Sequence, residues 1–240
     1  MSSITHALQI CRTCGGGASV DVHFCRQCSK ILTLGRQGDY FAFMGVPRRL
    51  NLDLADLEQR FRDLSRHFHP DYFYNATPAE RVASLERSSY LNAAYRTLKQ
   101  PVSRIVYLLE LEGVLTQADR SGGDLSTQAP PALLEEVFAL NEELDEVRAL
   151  REAGAGADVI GPRLTQAARP IEARRVEHDA ELQALAARWD GLGSDASPAA
   201  RRAVLEALRA RMLERHYIVN LLATIDRERA LSVKTSPEMS

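Results

Sequence analysis

Leu54, Leu57, Phe61, Leu64 and Phe68 recur every three or four positions, and Pro70 closes the run. That spacing puts five apolar side chains on one helix face, toward a core, with Gln59, Arg62 and Arg66 on the opposite face. Proline disfavours helical geometry in the residue before it, so the helix must end at Phe68 or His69. A second helix is expected from Pro78 to about Lys99, with Val82, Leu85 and Tyr95 among its buried residues. Its start is marked by Thr77-Pro78-Ala79-Glu80, a capping box with proline at the first helical position. Asp53 is a cap for the first helix. The pair forms an antiparallel hairpin whose connection carries His69-Pro70-Asp71.

Beyond the hairpin the pattern stays helical. From about 132 to 230 the chain is rich in Ala, Leu, Glu and Arg, and breaks are expected at Gly154–Pro162 and Gly191–Pro198. Three long helices in an antiparallel bundle follow from this, with Ser197-Pro198 opening the last. Pro170 should kink the middle helix or delay its start. Ser121, Gly122, Gly123, Asp124, Ser126 and Pro130-Pro131 mark 114–131 as a linker. No strand signal exceeds a few residues. The expected class is all-α: a metal-binding segment over 1–34, the hairpin domain over 39–113, the linker, and the bundle over 132–230.

The four cysteines all lie between positions 11 and 28. A disulfide scaffold spreads its cross-links through the fold, so this clustering points to a reducing compartment and a metal. Cys11-x-x-Cys14 and Cys25-x-x-Cys28 form two knuckles ten residues apart, able to close four thiolates around one ion. Gly15 to Gly17 allow a sharp turn beneath the first pair. Some thirty residues bury little surface by themselves, so metal binding would supply the folding energy. Zinc is favoured, although a rubredoxin-like iron would take the same ligands. Redox-active thiols of a Cys-x-x-Cys oxidoreductase are a third reading. His23, near the second knuckle, is surplus to a four-thiolate set.

The His69-Pro70-Asp71 loop between two such helices resembles the J-domain, whose tripeptide triggers ATP hydrolysis on a partner chaperone. The Asn92-Ala93-Ala94-Tyr95 stretch, ending in Lys99-Gln100-Pro101, strengthens the likeness. Asp39-Tyr40-Phe41 before Gly45-Val46-Pro47, the run Pro101 to Leu109, and Glu143-Leu144-Asp145-Glu146 resemble the HscB-type co-chaperones in particular. Some relatives in that family carry a similar tetracysteine extension. The resemblance implies that His69, Pro70 and Asp71, flanked by Arg62 and Arg66, engage an HscA/DnaK-type ATPase chaperone. It also implies binding of an IscU-like iron–sulfur scaffold protein by the first bundle helix. Tyr72 departs from the family, which generally has lysine there.

On that bundle helix, Leu133, Val137, Leu140, Leu144 and Val147 form a core stripe. Leu134 and Phe138 sit roughly a quarter to a third of a turn away, in line with Glu142 and Glu146. An apolar pair beside a row of carboxylates suggests a binding patch; a wide core stripe is the alternative. The resemblance assigns scaffold binding to Leu134, Phe138, Glu142 and Glu146, and more loosely to Tyr217, while Glu135 and Ala139 depart from the family pattern.

A net charge of −2 and a pI near 6.3 give no electrostatic reason to expect nucleic acid. No stretch is apolar enough to span a membrane. Met1 to Ile10 lacks a secretory pattern and contains no Arg, so a cytoplasmic protein is expected. No nucleophile–base pairing or nucleotide-binding glycine loop is visible, which argues against an enzyme. A general J-protein for unfolded clients remains the alternative to a scaffold-specific adaptor.

Overall fold

The cysteine segment forms two equivalent turns, the first framed by a short pair of strands. In the computed structural model, which describes residues 8–19, 22–34, 39–115, 133–193 and 195–234, strands β1 (Leu8–Ile10) and β2 (Gly17–Ser19) pair antiparallel around the first knuckle. A Phe24–Ile31 bridge closes the second. In each, the first cysteine's N–H donates to the carbonyl five residues on, at 2.8 Å for Cys11–Gly16 and 2.9 Å for Cys25–Lys30. Each turn passes through a left-handed residue, Gly15 (φ +75°) or Ser29 (φ +58°), directly after the second cysteine.

The hairpin follows. A short helix α1 (Tyr40–Met44) is capped by Asp39, and α2 (Leu54–Phe68) by Asp53. A 3₁₀ turn (Pro70–Phe73) leads to α3 (Pro78–Lys99), whose Thr77–Glu80 capping box is complete, and α4 (Pro101–Leu111) comes after it. Gly113, at φ +66°, lies just past the end of α4. Leu57 and Phe68 of the expected stripe are buried, and Phe61 and Leu64 pack half-buried against the same core. Leu54 does not join them: it is the first helical residue and stands largely exposed.

Helix α3 corrects the sequence reading. Val82 and Leu85, expected inside, are more than half exposed. The buried face instead runs through Ala83, Arg87, Leu91, Ala94 and Leu98. At 100° per residue, Val82 and Leu85 lie about 140° and 160° from Arg87, on the far side of the helix. A charged residue occupies the core line, so hydrophobicity alone points to the wrong face. Arg104 is likewise buried on α4, donating to the carbonyls of Leu98 at 2.6 Å, Lys99 at 3.3 Å and Leu50.

Compact packing divides the chain into two units, one ending at Leu111 and the next starting at Glu112. The cysteine turns, α1–α4 and the connecting loops belong to the first. In the second, α5 (Leu134–Glu152), α6 (Ala157–Asp190) and α7 (Pro198–Lys234) form the expected three-helix bundle. Leu133, Leu140, Leu144 and Val147 are buried with Ile160, Leu164, Ala168 and Ile171 of α6 and Ile218 and Ile225 of α7. Of the expected linker, only Val114 and Leu115 are described, and both are buried.

The first break in the bundle is shorter than expected. Gly154 (φ +83°) ends α5: its N–H donates to Arg151 at 3.0 Å and that of Ala155 to Leu150 at 2.9 Å. These are the two bonds of a Schellman motif, and α6 restarts at Ala157, well before Pro162. Neither Pro162 nor Pro170 delays or interrupts the helix. Both are exposed, so the carbonyls of Asp158 and Gln166 that lose their N–H donors lie on exposed positions where water can serve them. Ser197 caps α7 through its hydroxyl. Among the described residues, no helix is long and apolar enough to cross a membrane.

Candidate functional site

The two knuckles face each other. The Sγ atoms of Cys11, Cys14, Cys25 and Cys28 all lie within 4.8 Å of one another, with Cys11–Cys28 and Cys14–Cys25 at 3.6 Å. None is in a disulfide. A tetrahedral site with zinc–thiolate bonds of about 2.3 Å has sulfur–sulfur edges of about 3.8 Å, so the four thiols fit one ion. The amides of Cys14 and then Thr13 point at Cys11 and lower its pKa to about 6. The amides of Cys28 and Gln27 lower Cys25 in the same way. Cys28 receives the amide of Lys30, but burial and the three neighbouring thiols outweigh it and push the group up to about 12. Four crowded thiols cannot all ionise without a cation among them; a bound metal would resolve that conflict and release the protons.

The His-Pro-Asp loop is built by the end of α2. His69 is at once the C-cap of α2 and the N-cap of the 3₁₀ turn, with φ −59° and ψ 128°. Extended geometry there is what Pro70 demands. His69 Nδ1 accepts from the Asp71 N–H at 3.3 Å, and the Tyr72 N–H donates to the His69 carbonyl at 3.0 Å. The side chains of His69 and Asp71 nevertheless face solvent, 55% and 87% exposed, with Nδ1 3.5 Å from the Asp71 carboxylate. Pro70 and Asp71 open onto a groove lined by Tyr74, Asn75, Arg81 and the displaced Leu85. Tyr72 is exposed, its ring edge-on to His69. Arg62 and Arg66 lie on the outer face of α2, holding Glu58 at 3.0 Å and Asp63 at 3.3 Å. Such exposed pairs are weak and readily exchanged.

On α5, Leu134 is 39% and Phe138 66% exposed, off the buried stripe. Glu142 is exposed. Glu146 is not free: Arg163 of α6 grips it and also bonds Glu143 at 2.6 Å. Tyr217 packs half-buried against the bundle core.

No protein-family model matches the chain. Solved structures do. The crystal structure of human co-chaperone protein HscB aligns over 92% of this chain and 98% of its own, with a TM-score of 0.66 and 24% identity. Chaperone HscB from Vibrio cholerae aligns over 81% of this chain and 99% of its own, at 0.54 and 25%. The chain has the HscB fold.

Within that fold, the resemblance to HscB-type chains drawn from the sequence holds over most of the length. Reading the sequence missed the residues that tie the cysteine turns to the hairpin. Arg87 donates to the carbonyls of Leu32 at 2.6 Å and Thr33 at 3.2 Å and to His23 Nδ1 at 2.8 Å. His23 therefore has a structural partner and is not merely surplus to the thiols. Burial, then the Arg87 charge, pushes His23 down to about 4, so the ring is neutral with its proton on Nε2. Burial also draws Arg87 down to about 10, which leaves it charged at neutral pH. Lys30 pairs with Glu80 at 3.0 Å. One signal for Arg87 was present: it shares a helix register with Ala83 and Leu91.

Proposed function

We propose that this chain is a co-chaperone of iron–sulfur cluster biogenesis. In this reading His69, Pro70 and Asp71, supported by Arg62 and Arg66, stimulate the ATPase of an HscA/DnaK-type chaperone. The bundle face around Leu134, Phe138, Glu142 and Glu146 holds an IscU-like scaffold protein and delivers it to that chaperone. Tyr217 contributes at most from its half-buried position. The four cysteines hold one zinc ion as a structural element, since two matched knuckles with amide-stabilised sulfurs are a closed site with no open coordination position. The chain itself has no catalytic role.

One observation carries the proposal: an exposed His-Pro-Asp loop, at the tip of a helical hairpin, in a chain with the fold of human co-chaperone HscB. Pro70 and the 3₁₀ turn hold the loop in shape, so a donor and a carboxylate are presented with little entropy left to lose on docking. Single-turnover ATP hydrolysis by an HscA/DnaK-type chaperone provides the test. His69→Gln and Asp71→Asn should each abolish stimulation while leaving helical content and scaffold binding unchanged, because both side chains are exposed. Full stimulation by either variant would refute the docking role.

A further inference from the structure

Phe68 immediately precedes His69 and is fully buried, so its seating fixes where the loop leaves α2. Its carbonyl accepts from two hydroxyls of α3, Ser84 at 2.7 Å and Ser88 at 2.8 Å. Its ring is packed from two directions. Phe43 approaches from α1 at 5.9 Å. The cysteine segment supplies Phe24, stacked at 6.1 Å, and His23, edge-on at 5.0 Å. The Arg87 guanidinium lies 5.7 Å above the same ring while its hydrogen bonds hold Leu32, Thr33 and His23 in place. Phe24 also edges His67, one residue further back along α2.

The segment that supplies Phe24 and His23 has little core of its own. Its buried cluster is Cys11, Ala18, Cys25 and Leu32, with Val22 and Cys28 beside it. Two of those four buried residues are thiol ligands, and Phe24 is bonded directly to one of them. So small a cluster holds its shape through its ligands more than through apolar burial. Phe24 and His23, which seat Phe68 from this segment, are thus the side chains that metal loss would release first.

We infer that the tetracysteine segment braces the His-Pro-Asp loop, with Phe24 and Arg87 as positioning residues, so that metal occupancy at the thiols tunes chaperone engagement. The inference rests on the function proposed above for its consequence, but not for its structural content. When the thiols are filled, Phe24, His23 and Arg87 close over Phe68 and the loop is held. When the metal leaves, Phe68 keeps its carbonyl anchors to Ser84 and Ser88 and its Phe43 contact but loses the aromatic cover of Phe24 and His23. The loop then samples more positions, and docking weakens without the hairpin unfolding.

The test uses the full chain loaded with Zn²⁺, the same chain stripped by chelation under reducing conditions, and Phe24→Ala and Phe24→Leu variants. Three quantities are measured: zinc per chain, backbone amide exchange, and stimulation of the chaperone ATPase. Phe24→Ala should keep its zinc. Exchange at Asp71, Tyr72 and Tyr74, whose amides are bonded within the loop, should rise roughly tenfold, and apparent chaperone affinity should fall by about the same factor. Phe24→Leu should restore most of both, and zinc removal should reproduce the Phe24→Ala pattern. Unchanged loop exchange on zinc removal overturns the inference. So does exchange that rises evenly along α2 and α3, because the segment would then hold the helices and not the loop. A chain that takes up no Zn²⁺ refutes the metal dependence. Amide exchange needs no chaperone: if His69→Gln still stimulates fully, the functional reading fails while the exchange pattern still judges the brace.

Discussion

Replacing Phe138 by alanine sets partner binding against folding with opposite expected sizes. The residue is 66% exposed in the bundle, so about one-third of a side chain of roughly 200 Å² contributes to the fold. At about 25 cal/mol per Å², some 70 Å² corresponds to less than about 2 kcal/mol of stability, an upper bound because alanine keeps part of the contact. The exposed two-thirds, about 130 Å², would be worth on the order of 3 kcal/mol if a scaffold covered it fully, which is roughly a hundredfold in affinity. Leu134 is more buried, so adding Leu134→Ala should cost more stability and add less to the binding loss. Denaturant unfolding and titration calorimetry with an IscU-like scaffold, on the same protein, give both numbers. Stimulation of the chaperone by co-chaperone alone should persist, while the extra stimulation produced by adding scaffold should vanish. A variant that loses more than about 3 kcal/mol of stability yet binds scaffold normally would show that Phe138 is a core residue and refute the patch.

Other expectations follow from the ion pairs and the thiols. Glu142→Lys should weaken scaffold binding in a salt-dependent way, and more cleanly than Glu146→Lys, which also breaks the Arg163 contact; equal effects at low and high salt would argue against an electrostatic role. Glu80 is held below the usual carboxylate range, first by the Lys30 ammonium and then by the Thr77 hydroxyl. Its stabilising contribution is therefore present above the unfolded carboxylate pKa of about 4.3 and is lost as pH falls through the lower folded value. The stability gap between wild type and Glu80→Gln should accordingly close in acid, and a gap that widens there would contradict the pairing. The purified chain should carry one zinc, lost in Cys25→Ser and released at low pH as the thiolates protonate. Elemental analysis finding iron with visible absorption would replace the structural-zinc assignment with a redox centre.

The parts of the fold that sequence revealed are those encoded within a few turns. The caps at Asp53, Thr77 and Ser197, the stripe from Leu133 to Val147 and the two cysteine knuckles are all local, and each stands where its spacing places it. Exposure of Leu134 and Phe138 was legible for the same reason, since helical phase alone separates them from the core line. The prolines in α6 set the expected restart of the helix too late, because their cost depends on exposure, which no local pattern states. Phe24 against Phe68, Lys30 against Glu80 and Arg163 against Glu146 each join segments distant in sequence, and nothing in either partner names the other.

Arg87 and Arg104 show that one such link can still be inferred from a helix alone. Both occupy buried registers, and both donate to backbone carbonyls. Arg87 serves the carbonyls of Leu32 and Thr33, and Arg104 serves Leu50 besides the carbonyls of Leu98 and Lys99 that end α3; Leu32, Thr33 and Leu50 lie in segments without regular structure. The physical reason is shared. Irregular backbone that lies over a core leaves carbonyls without ladder partners, and an unmet buried carbonyl is costly. A guanidinium offers five donors on a long apolar stem, so one residue can satisfy several carbonyls while its methylenes pack. An arginine on the core line of an otherwise apolar helix face is therefore a sequence-level mark of an irregular segment folded over that helix. On α3 that segment is the one carrying the second cysteine knuckle. The same residue that defeats the hydrophobic reading of α3, by pushing Val82 and Leu85 outward, thus marks where the cysteine turns dock.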